Sequence, residues 1–272
     1  MESPCKLDLT LDDHDERGCV ARIVVDYRAR LNILNSELIR QLTEAVKSLA
    51  DNERLRVLIL TGAGDRAFIG GADINEMAAL DNSSTLENSS TIETSSARGF
   101  ITRLHEACAA LRESPVPVIA RINGYCLGAG LEIAASCDLR VAADHSTFGM
   151  PEVRVGIPSV IEAALLPGLI GWGKAAELIY TGESIPVAEA LECGLVQRVV
   201  PREQLDQAVD RWTQAILEGG PCALRLQKSL IREWERLPLD RAIERGIDSF
   251  AAAYETDEPR RLMERFLTRR RK

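Results

Sequence analysis

The stretch Asn123-Gly124-Tyr125-Cys126-Leu127-Gly128-Ala129-Gly130-Leu131-Glu132 decides the fold of this chain. A second glycine-bounded run, Phe148-Gly149-Met150-Pro151-Glu152, places another glutamate twenty residues after the first. An earlier turn of small residues is Ala67-Phe68-Ile69-Gly70-Gly71-Ala72-Asp73. Backbone N–H groups at small residues can stabilise a developing oxyanion, and two neighbouring carboxyl groups can move protons. These runs predict an enzyme that forms an enolate from a carbonyl compound.

Strands alternate with helices around these runs. Apolar stretches of strand length cover residues 20–26, 56–61, 116–122 and 137–142, and helices are predicted from Ser36, over about 97–113 and over 128–137. Alternation of this kind favours a largely parallel sheet with right-handed crossovers. We therefore predict an α/β fold with residues 1–202 as the core that carries the active site. Residues 203–272 have a helical pattern and form a C-terminal section.

Composition excludes several classes of function. The 272 residues carry a formal net charge of −8 and only 4% aromatic residues, which argues against binding nucleic acid. No apolar run is long enough to span a membrane, and the first residues lack the features of a secretion signal. The seven cysteines are scattered without metal-ligand spacing, as expected of small buried residues in a reducing cytoplasm. We expect a cytoplasmic enzyme with no metal and no cofactor.

Two short motifs are rejected on context. Gly62-Ala63-Gly64-Asp65-Arg66-Ala67 fits the dinucleotide fingerprint, but no helix that could bind a pyrophosphate is predicted after it. Gly168 to Ala175 nearly fits a P-loop, but Ala175 stands where a serine or threonine would hold magnesium. A helix–turn–helix linkage is the better interpretation of the second segment.

A tandem hexad occupies residues 82–93, as Asn-Ser-Ser-Thr-Leu-Glu followed by Asn-Ser-Ser-Thr-Ile-Glu. Such polar sequence has little apolar surface to bury. It is typical of a mobile surface loop, and we expect it to be dispensable for chemistry.

The ordered set of turns and glutamates resembles the crotonase (enoyl-CoA hydratase/isomerase) superfamily. The resemblance runs from about residue 20 to 270 and includes Cys137-Asp138 between the two glutamate runs. It implies a ββα spiral core with a helical C-terminal section used for trimerisation. It also implies an enoyl-CoA hydratase-like lyase that adds water across the Cα=Cβ bond of a 2-enoyl-CoA thioester. The expected assembly is a homotrimer or a dimer of trimers.

The resemblance assigns roles to individual residues. The backbone amides of Ala72 and Ala129 form the oxyanion hole, although the family more often has glycine where Ala129 stands. Glu132 activates water and Glu152 delivers a proton to Cα. Hydration needs both, because a base must accept the proton of water and an acid must protonate the α-carbon.

Further residues match the positions at which the family binds coenzyme A and substrate. Asp73 is alternatively a turn or cap residue, and Arg269 alternatively belongs to a solubilising basic tail. The matching residues are Arg28, Ala29, Arg30, Leu31, Ala67, Gly71, Asp73, Ile74, Asn75, Leu127, Gly128, Pro151, Phe266 and Arg269.

One segment departs from the family pattern. Gly156 to Ala163 replaces a glycine-rich stretch, and it introduces Glu162 either as a third acid or as part of a capping box with Ser159. The bulk of Val160 and Ile161 leaves the acyl-chain preference open.

Alternative functions are an isomerase, a hydrolase or retro-aldol lyase of the same fold, and a non-catalytic RNA-binding or scaffold member.

Overall fold

The computed structural model describes residues 5–80 and 96–269. The tandem hexads therefore lie outside the described residues. The strands of the described ranges are β1 (Lys6–Asp13), β2 (Cys19–Asp26), β3 (Leu55–Gly62), β4 (Ala67–Ile69), β5 (Val118–Ile122), β6 (Tyr125–Leu127), β7 (Leu139–Ala143), β8 (Thr147–Gly149), β9 (Ser184–Pro186) and β10 (Arg198–Val200).

Helices connect these strands and form the C-terminal part. They are α1 (Ser36–Ser48), α2 (Ile74–Ala78), α3 (Ser96–Glu113), α4 (Ala129–Ala135), α5 (Leu166–Thr181), α6 (Val187–Glu192), α7 (Leu205–Glu218), α8 (Pro221–Trp234), α9 (Leu239–Ala253) and α10 (Glu258–Arg269). Short 3₁₀ helices cover Asp15–Arg17, Arg28–Arg30, Pro151–Val155, Ile161–Leu165 and Arg202–Gln204. None of the helices in the described ranges combines the length and apolarity needed to cross a bilayer.

The larger sheet has the strand order β1-β2-β3-β5-β7-β10. All of its neighbours are parallel except β1 and β2, which pair antiparallel with Lys6 opposite Asp26. The predicted α/β fold with a largely parallel sheet and a helical C-terminal part is confirmed. Strand β1 was not among the strands predicted from the sequence.

A smaller second sheet has the order β4-β6-β8-β9. Its first three strands are mutually parallel, and β9 pairs antiparallel with β8. Strands β4, β6 and β8 overlap the three runs that the sequence analysis interpreted only as turns, so that interpretation was incomplete. The small sheet approaches helix α4 closely at Gly130. A Cβ at this position would lie 2.1 Å from the carbonyl oxygen of Ile69, so the approach depends on the missing side chain.

The larger sheet is covered on both faces. Helices α1, α3 and α4 contribute to the main apolar core, in which Phe68 and Phe148 of the small sheet are fully buried. Helix α7 covers the other face, where Leu205 and Val209 pack against residues of the strands. Burial of this apolar surface is the main stabilising contribution to the fold.

A buried ion pair joins the C-terminal helices to the core. Asp138, from the Cys-Asp pair of the sequence motif, accepts a hydrogen bond from the backbone N–H of Val118 at 2.7 Å. The same carboxylate oxygen accepts from Lys228 Nζ of α8 at 2.6 Å, and Lys228 is only 5% exposed. Burying this lysine without a partner would be costly, so the pair fixes α8 against the end of β5.

The structure gives the local elements around the two rejected motifs. The segment after β3 leads directly into β4, with no helix that could present amides to a pyrophosphate. The segment near Gly168 is helical on both sides of Gly171, whose φ of 76° interrupts α5. The helix–turn–helix interpretation of the second segment is therefore confirmed.

Candidate active site

The candidate site lies where three parallel strands of the small sheet end. Strands β4, β6 and β8 are neighbours, so their carboxyl ends meet at one edge of the sheet. The segments that leave this edge begin at Gly70, Gly128 and Met150. Ligands of open parallel sheets bind outside the carboxyl ends of the strands. A cavity of about 220 Å³ lies at this edge.

Eight of the residues predicted for the site line this cavity. They are Gly71, Ala72, Ile74, Gly128, Ala129, Glu132, Pro151 and Glu152. Much of the remaining wall is apolar and comes from α2, α3 and the segment after Glu152, with Met77, Phe100, Leu104, Ile157 and Val160 among its residues. The cavity thus combines two carboxyl groups with an apolar wall.

Two backbone amides are available at the cavity. The loop at Ala72 is held on both sides, because Leu34 N–H donates to the Gly71 carbonyl and Asp73 N–H donates to the Leu34 carbonyl, each at 2.8 Å. Within the described ranges the N–H of Ala72 itself has no hydrogen-bond acceptor. Ala129 is the first residue of α4, and the first N–H groups of a helix have no partner inside it.

Glu132 lies in the first turn of α4 and is 4% exposed. Its Oε1 accepts a hydrogen bond from the backbone N–H of Ala163 at 3.2 Å. Burial, and next the charge of Glu152, raise the pKa of Glu132 to about 8, although the Ala163 amide favours the charged form. Glu132 can therefore hold or release a proton near neutral pH.

Glu152 lies in the 3₁₀ helix that follows β8, and its position depends on Gly128. A Cβ at Gly128 would lie 2.5 Å from Glu152 Oε1, so the carboxyl group occupies the space of the missing side chain. The other oxygen, Oε2, accepts from the Ser159 hydroxyl at 2.9 Å. Burial raises the pKa of Glu152, and the Ser159 hydroxyl opposes this shift. The backbone of Gly128, with φ of 52° and ψ of −122°, is one that glycine tolerates best.

Several residues predicted to bind coenzyme A form protein contacts near the cavity. Arg28 pairs with Asp26 at 2.6 Å, and Arg30 pairs with Asp73 at 2.8 Å. Asp73 also caps α2 by accepting the backbone N–H of Asn75 at 3.0 Å. The cap interpretation of Asp73 is therefore confirmed, while a role in binding coenzyme A stays a prediction.

The other predicted residues lie around the same edge or in the last helix. Ala29 and Leu31 belong to the turn after β2, Ala67 begins β4, and Leu127 ends β6. Phe266 and Arg269 lie in α10, with Phe266 exposed. Among the described side chains, those of Ala29, Leu31, Ala67, Leu127 and Phe266 do not line the cavity.

Sequence reasoning missed one contact each of Glu132, Glu152 and Glu162. The capping-box interpretation of Ser159 and Glu162 is wrong, because Ser159 donates to Glu152 and makes no cap at the 3₁₀ helix Ile161–Leu165. Glu162 instead lies 2.9 Å from His105 Nδ1, and Ala163 donates its amide to Glu132. The departure of residues 156–163 from the family pattern was the one available signal for these contacts.

Comparisons with known proteins agree with this geometry. The family model for enoyl-CoA hydratase/isomerase matches residues 15–272, so the chain belongs to this family. The crotonase resemblance of the sequence motifs is confirmed.

Particular relatives are similar along nearly the whole chain. The short-chain-enoyl-CoA hydratase of Clostridium acetobutylicum is 32% identical, with 94% of each chain covered. The crotonyl-CoA hydratase of Syntrophomonas wolfei is 34% identical, with 93% of each chain covered. Among solved structures, the enoyl-CoA hydratase of Bacillus anthracis has a TM-score of 0.85 at 30% identity and 96% coverage of both chains.

Proposed function

We propose that this protein is an enoyl-CoA hydratase that adds water across the Cα=Cβ bond of a 2-enoyl-CoA thioester. One observation carries the proposal: Glu132 and Glu152, from two different elements, line one cavity together with the amides of Ala72 and Ala129. The similarity to two named hydratases over more than nine-tenths of the chain supports the same activity. Both carboxyl groups have a separate task in this reaction.

The two carboxyl groups divide the proton transfers. The Glu132 carboxylate accepts a proton from water as the water oxygen bonds to Cβ of the substrate. The electron pair of the Cα=Cβ bond moves toward the thioester carbonyl and gives an enolate. The Glu152 carboxylic acid then donates its proton to Cα, and the carbonyl re-forms. The product is a 3-hydroxyacyl-CoA, and the transferred protons balance.

The raised pKa values suit this division of labour. Hydration requires one proton on the glutamate pair, because the base must be charged while the acid is neutral. Burial of both groups raises both pKa values, and the pair therefore retains a proton near neutral pH. A positioned acid–base group works best when its pKa lies near the working pH.

We assign two backbone amides to stabilise the enolate oxygen. The N–H groups of Ala72 and Ala129 would both donate to the thioester oxygen, and preorganised donors of this kind stabilise charge that develops in the transition state. This assignment, the two proton transfers and the apolar wall account for the whole reaction. We therefore propose that the enzyme uses no cofactor, with coenzyme A being part of the substrate.

We assign binding of the nucleotide part of coenzyme A to the residues around Arg28 and Arg30 and to Phe266 and Arg269. Support comes from their places in the sequence motifs, since the two arginines follow β2 close to the site loop that contains Asp73. The acyl group is assigned to the apolar wall that includes Met77. An arginine that already pairs with a carboxylate would exchange that partner for a phosphate on binding.

The same reasoning extends to assembly and location. Helix α9 presents an exposed apolar stripe at helical spacing, in which Leu239 is 77% and Phe250 is 68% exposed. A stripe of this kind is typical of a covered interface, and we assign it to a homotrimer or a dimer of trimers. All seven cysteines are free, which suits a cytoplasmic protein. Light scattering that gives a monomer mass at micromolar concentration would contradict the assembly.

Activity of two single variants tests the proposed function. Loss of the conjugated-thioester absorbance of crotonoyl-CoA reports hydration. Glu132→Gln should lower the rate by about 10²–10⁴-fold, the usual contribution of a positioned acid–base group, while 3-enoyl to 2-enoyl isomerisation persists. Glu152→Gln should abolish both reactions, because each passes through proton transfer at Cα. The exposed residue Glu106 provides the control variant Glu106→Gln.

An isomerase is the rival that this experiment separates. Full hydration by Glu132→Gln would overturn the assignment of water activation. It would favour an isomerase or hydrolase that depends on Glu152 alone.

A further inference from the structure

A third buried carboxyl group lies beside Glu132 and has no part in the proposed mechanism. Glu162 is 7% exposed and belongs to the 3₁₀ helix Ile161–Leu165, which packs against α4. Among the described residues that line the substrate cavity, Glu162 does not occur. Its neighbour Ala163 donates the amide that Glu132 accepts. One short helix therefore supplies both a hydrogen bond and a nearby carboxyl group to Glu132.

His105 of α3 holds this carboxyl group from the other side. Its Nδ1 lies 2.9 Å from Glu162 Oε1, and we assign the nitrogen as donor because a carboxylate can only accept. In the described part of the chain, the second oxygen of Glu162 is buried without a hydrogen-bond partner. His105 is about half-exposed, with 53% of its side chain accessible, and it lines a separate cavity of about 250 Å³.

Charged and titratable groups surround Glu132 and Glu162 on several packed elements. Burial raises the pKa of the Cys108 thiol well above its usual value, and the charges of Glu162 and Glu132 raise it further. Arg112 and Arg232, which line the separate cavity, already pair with Glu235 at 2.6 Å and Glu113 at 3.5 Å respectively. The titratable and charged groups around the two carboxyls are His105, Cys108, Arg112 and Glu113 of α3, Glu152 and Arg154 of the 3₁₀ helix after β8, Arg232 of α8, and Arg236 just after it.

We propose that Glu162, held in place by His105, is a positioning residue that keeps a proton on the catalytic pair by setting a fixed negative charge beside Glu132. The inference rests on the proposed function, because it concerns the pH range in which Glu132 works. A like charge in a buried site disfavours a second ionised carboxylate. In agreement, the charge of Glu162 is one of the causes that raise the pKa of Glu132.

The pH profile of kcat/KM for hydration tests this role. Glu162→Gln keeps the shape but removes the charge, so the alkaline limb should move to lower pH by about one unit. His105→Phe should move it in the same direction, because it removes the hydrogen-bond partner that holds the Glu162 carboxyl group in place. The double variant should show no larger shift than Glu162→Gln, since His105 acts on Glu132 only through Glu162.

Two further variants make the comparison specific. His105→Asn places an amide donor near the position of Nδ1 and should restore the limb that His105→Phe moves. His145→Phe changes another histidine, which contacts the backbone carbonyl of Asp65. This control variant should leave the alkaline limb of the pH profile unchanged. A carboxyl-carbon NMR titration of Glu132, assigned by its loss in Glu132→Gln, measures the same shift without turnover.

The outcomes separate this inference from the proposed function. A folded Glu162→Gln with an unchanged limb and an unchanged Glu132 titration would overturn the role of Glu162. Shifts that add in the double variant would overturn the coupling through His105. Full hydration by Glu132→Gln would overturn the proposed function, whereas the NMR titration would still report whether Glu162 acts on Glu132.

Discussion

Replacing Gly128 with alanine tests whether the missing side chain at this position is what places the carboxyl group of Glu152. The new Cβ would lie 2.5 Å from Glu152 Oε1, so the carboxyl group must retreat by about 0.9 Å to reach ordinary contact at 3.4 Å. A misplacement of about 1 Å costs about 10²-fold in rate. We therefore expect kcat for hydration to fall about 10²-fold, or ~2.7 kcal/mol in the activation barrier.

The variant also strains the backbone, which requires a matched control. Gly128 has φ of 52°, and an alanine in such a conformation costs about 1–3 kcal/mol in stability. Gly194→Ala carries a similar strain at φ of 83°, but its Cβ would meet only the Leu169 carbonyl, at an ordinary 3.5 Å. Hydration of crotonoyl-CoA and urea unfolding are measured for both variants. Turnover of Gly128→Ala within about threefold of Gly194→Ala would refute the reasoning, since it would mean that Glu152 does not depend on this gap.

Three further predictions concern protons and coenzyme A. The kcat/KM for hydration should fall as pH rises through about 8, because the coupled glutamate pair then loses its last proton and Glu152 can no longer act as the acid; a flat profile would contradict this. Ser159→Ala removes the hydroxyl that stabilises the carboxylate formed when Glu152 donates its proton, so the pKa of Glu152 should rise, proton donation should become harder and turnover should fall about tenfold, or ~1.4 kcal/mol. Truncation after Thr268 should raise KM for acyl-CoA but not for acyl-pantetheine; equal effects on both would indicate a structural role.

The parts of the fold that the sequence predicted are those with long periodic patterns. Helix α1 begins at Ser36 as expected, and α3 begins within one residue of its predicted start. The small sheet was missed because β4, β6 and β8 have three residues each, too few to show an alternating pattern. Strand β1 was missed although Leu7, Leu9 and Leu11 alternate with polar residues, as is typical of a strand with one exposed face.

The candidate site was predictable to the extent that its residues leave neighbouring strands. Glu132 and Glu152 line one cavity because β6 and β8 are parallel and end at the same edge. The contact between His105 and Glu162 spans 57 positions in the sequence and depends on how α3 packs against a 3₁₀ helix. No local pattern encodes such a pairing, so a single sequence does not reveal it.

Ile161 has a strained backbone and lies in the segment that replaces the glycine-rich stretch of the family. Ile161 has φ of 40°, a left-handed conformation that is unusual for a β-branched residue. Strain of this kind, about 1–3 kcal/mol, persists only where the surrounding structure fixes it. The residue that follows is the buried Glu162, and the next is Ala163, whose amide binds Glu132. The strained turn therefore orients the two groups that act on the catalytic carboxyl, which gives this departure from the family pattern a physical reason.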